Sequence, residues 1–296
     1  MTSQSEIVKT TTRTRRAQGN NSARSRFNRL ITYLLLIATS LCFLVPFAWL
    51  ILSALKSSDE IFVFPPVWLP KHWEWGNFAK ALTTLPFGRY ALNSILIAAA
   101  NVVGNVLSCA FVAYGFARFR FPGRRILFMV MLATMMIPNQ VLLVPQFILF
   151  HDLGWLNTFL PLTVPAFFGS AFYVFLLRQF FMTIPTELEE AAKIDGAGSL
   201  RIFFTVILPL IKPALMAVAI FSFQGAWNDF LAPLIYLNDP SKYTLQLGLS
   251  QFQGTFHTEW NLIMAATVVV ALPMLIIFFA AQRYFIEGIT MTGTKG

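Results

Sequence analysis

Few side chains in this 296-residue chain could do chemistry. Its three histidines, His72, His151 and His257, are scattered and have no partner at metal-ligand spacing. The sequence holds no H-E-x-x-H, and no G-x-x-x-x-G-K-[S/T] loop that would cradle nucleotide phosphates. Cys42 and Cys109 lie inside apolar stretches and read as packing residues. No catalytic residue, metal set or cofactor site of its own is therefore expected. Two groups of carboxylates remain. Glu187, Glu189 and Glu190 crowd into one short stretch ahead of Asp195, which suits an exposed helix seeking a partner groove. Asp229 stands beside Asn228 and Gln224 within apolar sequence, and an ionisable group near a membrane span marks a pathway residue.

The elements that must hold these residues are set by composition. The chain is 56% apolar and only 12% charged, about half the charge of a soluble domain. A bilayer core of about 30 Å needs roughly 20 apolar residues in a helix. Five charge-free runs reach that size, at 30–55, 90–117, 126–150, 153–177 and 260–282. A sixth span follows if a helix begins near Leu210 and runs past Asp229. The first run is too long for a signal-peptide core and has no small-residue cleavage site after it, so it reads as an anchor.

Charge tests the count. With both termini inside, the cytoplasmic segments hold seventeen of the 22 Lys and Arg, and the outer segments hold Lys56, Lys71, Lys80, Arg89 and Lys242. That asymmetry follows the positive-inside rule and sets the orientation, with both termini on the cytoplasmic side. The formal charge of +9 is thus an orientation signal. A nucleic-acid partner is not expected, because the basic segment has no aromatic interleaving. Residues 1–29, polar and nearly free of hydrophobes, read as a disordered basic tail.

The spans are more than lipid anchors. Ala100, Gly104 and Ser108 form a small-residue stripe that permits close helix approach. Asn93, Asn101 and Asn105 share that span and could bond across helices or face a path. Further on, MMIPNQVLLVP brackets Asn139 and Gln140 between Pro138 and Pro145. Prolines free backbone carbonyls, which is tolerable only beside protein or a wet cavity. Gln224 and Asn228 are four apart on one helix face, expected to border a translocation path with Asp229 near its outer mouth. A helix cap or turn at Asp229 is the competing reading. The candidate path residues are therefore Asn93, Gln140, Gln224, Asn228 and Asp229.

The segment 185–213, PTELEEAAKIDGAGSLRIFFTVILPLIKP, reads as two short helices. Thr186 and Glu189 have capping-box spacing, Gly196 suits the left-handed residue that ends a helix, and a second helix leads from Leu200 to Pro209. Glu190-Ala191-Ala192, Asp195-Gly196-Ala197 and Ile207-Leu208-Pro209 with Pro213 resemble the EAA loop of ABC importer permeases. Asn93-Ser94, Trp227-Asn228-Asp229-Phe230, Asn238-Asp239-Pro240, Gln253-Gly254, Trp260-Asn261-Leu262 and the run from Gln282 to Gly288, with Lys295-Gly296 at the end, resemble the carbohydrate-importer permeases, specifically the smaller maltose-type subunit.

That resemblance implies an all-α, six-span permease of the type I ABC importer fold. It divides the chain into a tail (1–29), a first transmembrane helix (30–55), an outer loop (56–87), a permease core (88–284) with its coupling loop at 183–208, and a cytoplasmic tail (285–296). The implied partners are a second, non-identical permease, a dimer of ATP-binding subunits carrying ATP and Mg, an extracytoplasmic solute-binding protein, the lipid bilayer and a sugar. Glu190 is then the charged anchor to the ATPase, Ala191 and Ala192 the small docking surfaces, and Asp195-Gly196 the turn fixing the helix end. Polyamine, peptide or glycerol phosphate importers share the EAA loop, and an ion-coupled carrier is the more distant alternative. A carrier would show charged coupling residues deep in its spans, which these lack. The aromatic run FVFPPVWLP with Trp73, Trp75 and Phe78 suits the membrane interface or a docking surface. Gln246, Gln251, Gln253 and Thr255 could face a sugar or hold a folded loop.

Overall fold

A computed structural model describes residues 4–253 and 258–293, with side-chain surroundings over 26–253 and 258–282. Gly254, Thr255, His257, Lys295 and Gly296 lie outside the described residues. The described chain is helical, apart from one isolated antiparallel bridge between Gln253 and Thr258. In chain order the helices are α1 (Gln4–Ala54), α2 (Gly76–Thr84), α3 (Phe87–Arg118), α4 (Arg124–Thr134), α5 (Asn139–Asp152), α6 (Leu160–Thr163) and α7 (Ala171–Thr183). Then follow α8 (Glu187–Ile194), α9 (Ser199–Ile202), α10 (Leu208–Leu210), α11 (Lys212–Trp227), α12 (Leu231–Tyr236), α13 (Leu245–Ser250) and α14 (Trp260–Gly293).

Four segments are long and apolar enough to cross a bilayer: Arg26–Ala54, Phe87–Arg118, Leu160–Thr183 and Trp260–Gln282. Two more arise if bent pairs count as one span each: α4 with α5, bent by 97°, and Ser199–Leu210 with α11, bent by 81°. The first bend falls where Ile137 precedes Pro138. Proline has no N–H to give and disfavours helix in Ile137 before it, so the helix cannot run through; Pro138 itself is extended and α5 starts afresh. A straight helix across 126–150 is thus replaced by two.

The helix expected to run past Asp229 ends instead at Trp227. Continuing it would place the Pro233 ring against the carbonyl of Asp229, four residues back, and forfeit a backbone bond. The chain turns at Asn228, and α12 begins two residues after Asp229. At the other end, α1 extends back to Gln4, so residues 4–29 are helical where the composition led us to expect none. Extension from a formed helix avoids the cost of nucleation, which lets Ser, Thr and Asn join it.

The longest well-packed helix, α3, organises the rest. Near its Phe87 end, Phe87, Tyr90 and Ala98 pack with Trp227, Leu245, Leu262 and Val270. Near its Arg118 end, Cys109, Ala113 and Tyr114 pack with Leu177, Phe181, Ile202, Phe203 and Val218. The small-residue stripe does admit a neighbour. A Cβ on Gly104 would lie 2.9 Å from Phe167 and 3.1 Å from Ala166, and Ser108 Oγ donates to the Ala166 carbonyl at 3.1 Å. The backbone of the 3₁₀ turn Val164–Phe168 is held there. A second close approach lies at Gly248, where a Cβ would collide with the buried Tyr90 ring.

The connections between spans are folded, not loose. Asn77 Nδ2 donates to the carbonyls of Ala54 (3.0 Å) and Lys56 (2.9 Å). The fully buried Lys56 donates to the Val67 carbonyl at 2.6 Å and lies 4.1 Å over the Trp49 ring. Leu245 N–H donates to Ser94 Oγ at 2.8 Å, fastening α13 to α3.

Candidate functional site

The acidic helix α8 protrudes from the Arg118 end of α3. Thr186 and Glu189 do not form the capping box that their spacing suggests: Thr186 has helical backbone and its side chain caps nothing. Glu189 turns inward instead. Its Oε1 lies 2.6 Å from Arg118 Nε, with the two side chains 7% and 10% exposed. Tyr114 donates to Oε2 at 3.4 Å, and Arg118 Nη2 donates to the Ile184 carbonyl at 2.7 Å, just past the end of α7. One guanidinium thus ties together the last residue of α3, the end of α7 and the first turn of α8. A buried charge is tolerable when paired and hydrogen-bonded in this way.

The other end of α8 is closed by backbone geometry. Ala197 N–H reaches the Ala192 carbonyl at 2.9 Å and Gly196 N–H reaches that of Lys193 at 3.0 Å, the two bonds of a Schellman motif. Gly196 supplies the left-handed residue with φ +78°, and a Cβ there would meet nothing within 4 Å. Conformation and not crowding selects glycine here. Ala192 and Ala197 pack on the core around Phe181 and Ile202. Glu190, Ala191, Asp195 and Gly196 are exposed, with Ile194 86% and Leu200 68% exposed beside them. The helix is fixed at both ends and presents an acidic and apolar outer face.

The following turn is also anchored. Phe203–Ile207 forms a π-helical turn, and Phe203 stacks on Phe111 with centroids 4.7 Å apart and meets the Tyr114 ring at a tilt, 5.0 Å between centroids. Single π-turns are characteristic of functional places in helices.

A second feature lies farther along α3. A cavity of about 200 Å³ is lined by Asn101, Asn105, Tyr173, Ser222, Asp229 and Thr244, among others. Asn101 Nδ2 donates to the Ile97 and Leu162 carbonyls at 2.9 and 2.7 Å, and Asn105 Nδ2 donates to Ser222 Oγ at 2.9 Å. Both amide nitrogens are used, and the amide oxygens remain as acceptors. Asp229 Oδ1 accepts from Ala232 N–H at 3.1 Å, so this residue both caps α12 and borders the cavity. Among the described residues, no Lys or Arg lines it.

The expected path residues divide. Asp229 is at the cavity. Gln224, in the last turn of α11, and Asn228, just past its end, are exposed and not among the lining residues, while Ser222, Gly225 and Ala226 supply the lining. Gln140 is exposed in the first turn of α5. Asn93 lies outside the cavity, its amide donating to the carbonyls of Ser241 (3.0 Å) and Tyr243 (2.9 Å), a tie between α3 and the segment before α13. Arg118, Tyr114 and Ser222 escaped the sequence reading. Glu189 and Arg118 are 71 positions apart, and nothing in either segment announces the pair. Among the described residues, no three of His, Cys, Asp and Glu are grouped to hold a metal ion.

Comparison with known proteins adds to this geometry. The family model for "Binding-protein-dependent transport system inner membrane component" matches residues 107–290. The diacetylchitobiose uptake system permease protein NgcG of Streptomyces coelicolor is 39% identical, over 89% of this chain and 88% of that one. The sn-glycerol-3-phosphate transport system permease protein UgpE of Pectobacterium atrosepticum is 35% identical, over 88% and 95%. A chain of a bacterial ABC transporter involved in the import of the acidic polysaccharide alginate superposes with a TM-score of 0.77 at 25% identity, covering 88% of this chain and 97% of that one.

Proposed function

Because the chain belongs to the binding-protein-dependent transport inner membrane components, we propose that it carries a sugar or oligosaccharide across the bacterial inner membrane by alternating access. It is a permease component and not a catalytic subunit; ATP and Mg are handled by the partner ATPase. Both termini face the cytoplasm in this reading, and so does α8.

The observation that carries the proposal is the build of α8. Its inner face is locked to α3 through Glu189 and Arg118, and its outer face leaves Glu190, Ala191 and Ile194 open. A helix fixed in this way passes displacement to its support instead of bending. When an ATPase dimer closes around α8, the push reaches the end of α3. From Arg118 to Asn105 is thirteen residues, or about 20 Å at helical rise, which brings the motion to the cavity. Glu190 supplies the charge contact with the ATPase, the exposed Ala191 permits close docking while Ala192 seats the helix on its own core, and Asp195-Gly196 holds the helix end.

A neutral polyol is favoured over glycerol phosphate by the lining of the cavity. Acceptor oxygens from Asn101, Asn105 and Asp229 suit the hydroxyl donors of a sugar, and the Tyr173 ring offers an apolar face. A phosphate would meet a carboxylate and no cation there. A second, non-identical permease supplies the facing half of the path, where the exposed Gln224 and Asn228 contribute. An extracytoplasmic binding protein delivers the sugar to the outer segments.

Reconstituting the complete transporter in proteoliposomes tests this. The Glu190→Lys variant should insert normally and lose ATP-driven uptake with weakened retention of the ATPase. Normal co-purification with normal uptake would sink the coupling role. Uptake of a labelled disaccharide measured against glycerol phosphate decides the substrate class.

A further inference from the structure

Arg178 is a charge for which the transport reading has no use. It lies inside α7, five residues before the helix ends at Thr183, and so about 7.5 Å into an apolar span. Its Nε donates to the Phe116 carbonyl at 3.3 Å, and its guanidinium lies 4.3 Å over the Phe128 ring. Arg124, the first residue of α4, donates from Nη1 to the Phe119 carbonyl at 3.0 Å. Together Arg124, Arg125 and Arg178 line a cavity of about 290 Å³ with Phe116 and Phe128.

The pocket has fixed positive charge, and its described lining holds no acidic side chain. Among the described residues the ion pairs are Arg118 with Glu189 and His151 with Asp152, and neither involves these three arginines. Among the described residues, Arg124 and Arg178 each hydrogen-bond only to a backbone carbonyl, which leaves most of their donors unspent. Three guanidiniums around one concavity repel one another unless an anion sits among them. The remaining wall is aromatic. The pocket opens where α3 ends and α4 begins, at the cytoplasmic membrane surface in the topology proposed above.

A phosphate attached to acyl chains fits both halves of this site. We propose that the pocket holds the phosphate of an anionic phospholipid of the phosphatidylglycerol type, gripped by Arg124, Arg125 and Arg178, with its chain beside Phe116 and Phe128. Basic pockets between spans on the cytoplasmic side recognise acidic headgroups by this chemistry. The inference rests on the membrane topology and not on the identity of the substrate or the coupling role of α8.

Native mass spectrometry of the intact transporter complex in detergent tests it. The complex is titrated separately with phosphatidylglycerol, phosphatidylcholine and inorganic phosphate. The wild type should retain phosphatidylglycerol in preference to both other probes. Arg124→Gln and Arg178→Gln should each weaken that retention about fivefold. Arg26→Gln with Arg29→Gln removes twice that charge elsewhere and should leave it unchanged. The same spectra report whether each complex stays assembled, and the exposed Arg125→Gln gives a variant less exposed to folding defects. Equal retention of phosphatidylcholine, equal retention of free phosphate, or an equal loss in the Arg26/Arg29 control would overturn the proposal.

Discussion

Replacing Glu189 by Gln should disconnect the coupling helix without removing it. The change preserves size and shape but leaves the Arg118 guanidinium without its carboxylate. At 2.6 Å the pair attracts by about 6 kcal/mol at an effective dielectric of about 20, before desolvation is counted. Removing one partner of a buried pair costs about 3–5 kcal/mol, because the other charge stays behind uncompensated. The Ile184 carbonyl still accepts from Arg118, which favours the lower end of that range. The loss falls on the junction of α3, α7 and α8, while the packing of Phe181, Ile202 and Val218 is untouched. We therefore expect Glu189→Gln to insert and assemble, with uptake at least tenfold lower and ATP hydrolysis no longer matched to transport. The assay is parallel measurement of uptake and ATPase rate on reconstituted complex, normalised to assembled protein. Exchanging the charges, Arg118→Glu with Glu189→Arg, should recover part of the coupling. If Glu189→Gln transports normally, or loses uptake only in proportion to assembled protein, the tie is not a coupling element.

The Schellman turn makes a gentler prediction: Gly196→Ala should cost about 1–2 kcal/mol, since its φ of +78° burdens any Cβ. Gly196→Asn should cost less, and thermal unfolding in detergent would show both. At Asp229, Ala removes the cap of α12 at a cost of about 1 kcal/mol, whereas Asn keeps a capping oxygen. Uptake that is lost in Asp229→Ala and retained in Asp229→Asn assigns the residue to the fold; loss in both assigns its charge to the path. Hydrogen bonds from the Ser241 backbone N–H, and then its hydroxyl, hold the Asp239 carboxyl below the usual carboxylate range. Its folded pKa lies under the unfolded one, so its stabilisation is present at neutral pH and lost as pH falls through the lowered value. Asp239→Asn should flatten the acid limb of a melting-temperature profile.

The approximate positions of four spans were legible in the residues because lipid imposes one requirement, about 20 apolar residues in a helix, that no tertiary contact can waive; the other two runs are bent pairs of helices. The helix at 187–194 and its glycine stop were equally legible, since both depend on local conformation. Local rules failed wherever a distant partner competed. Glu189 has the spacing of a capping residue, yet a guanidinium 71 positions earlier offers it a buried ion pair that a backbone N–H does not match. Asn93 looked like a path residue and is committed to carbonyls near Ser241. Gln224 and Asn228 share a face as their spacing requires, but which face of α11 meets the cavity depends on where α3 packs. Periodicity says which side chains lie together on a helix. Only the packed structure decides what they lie against.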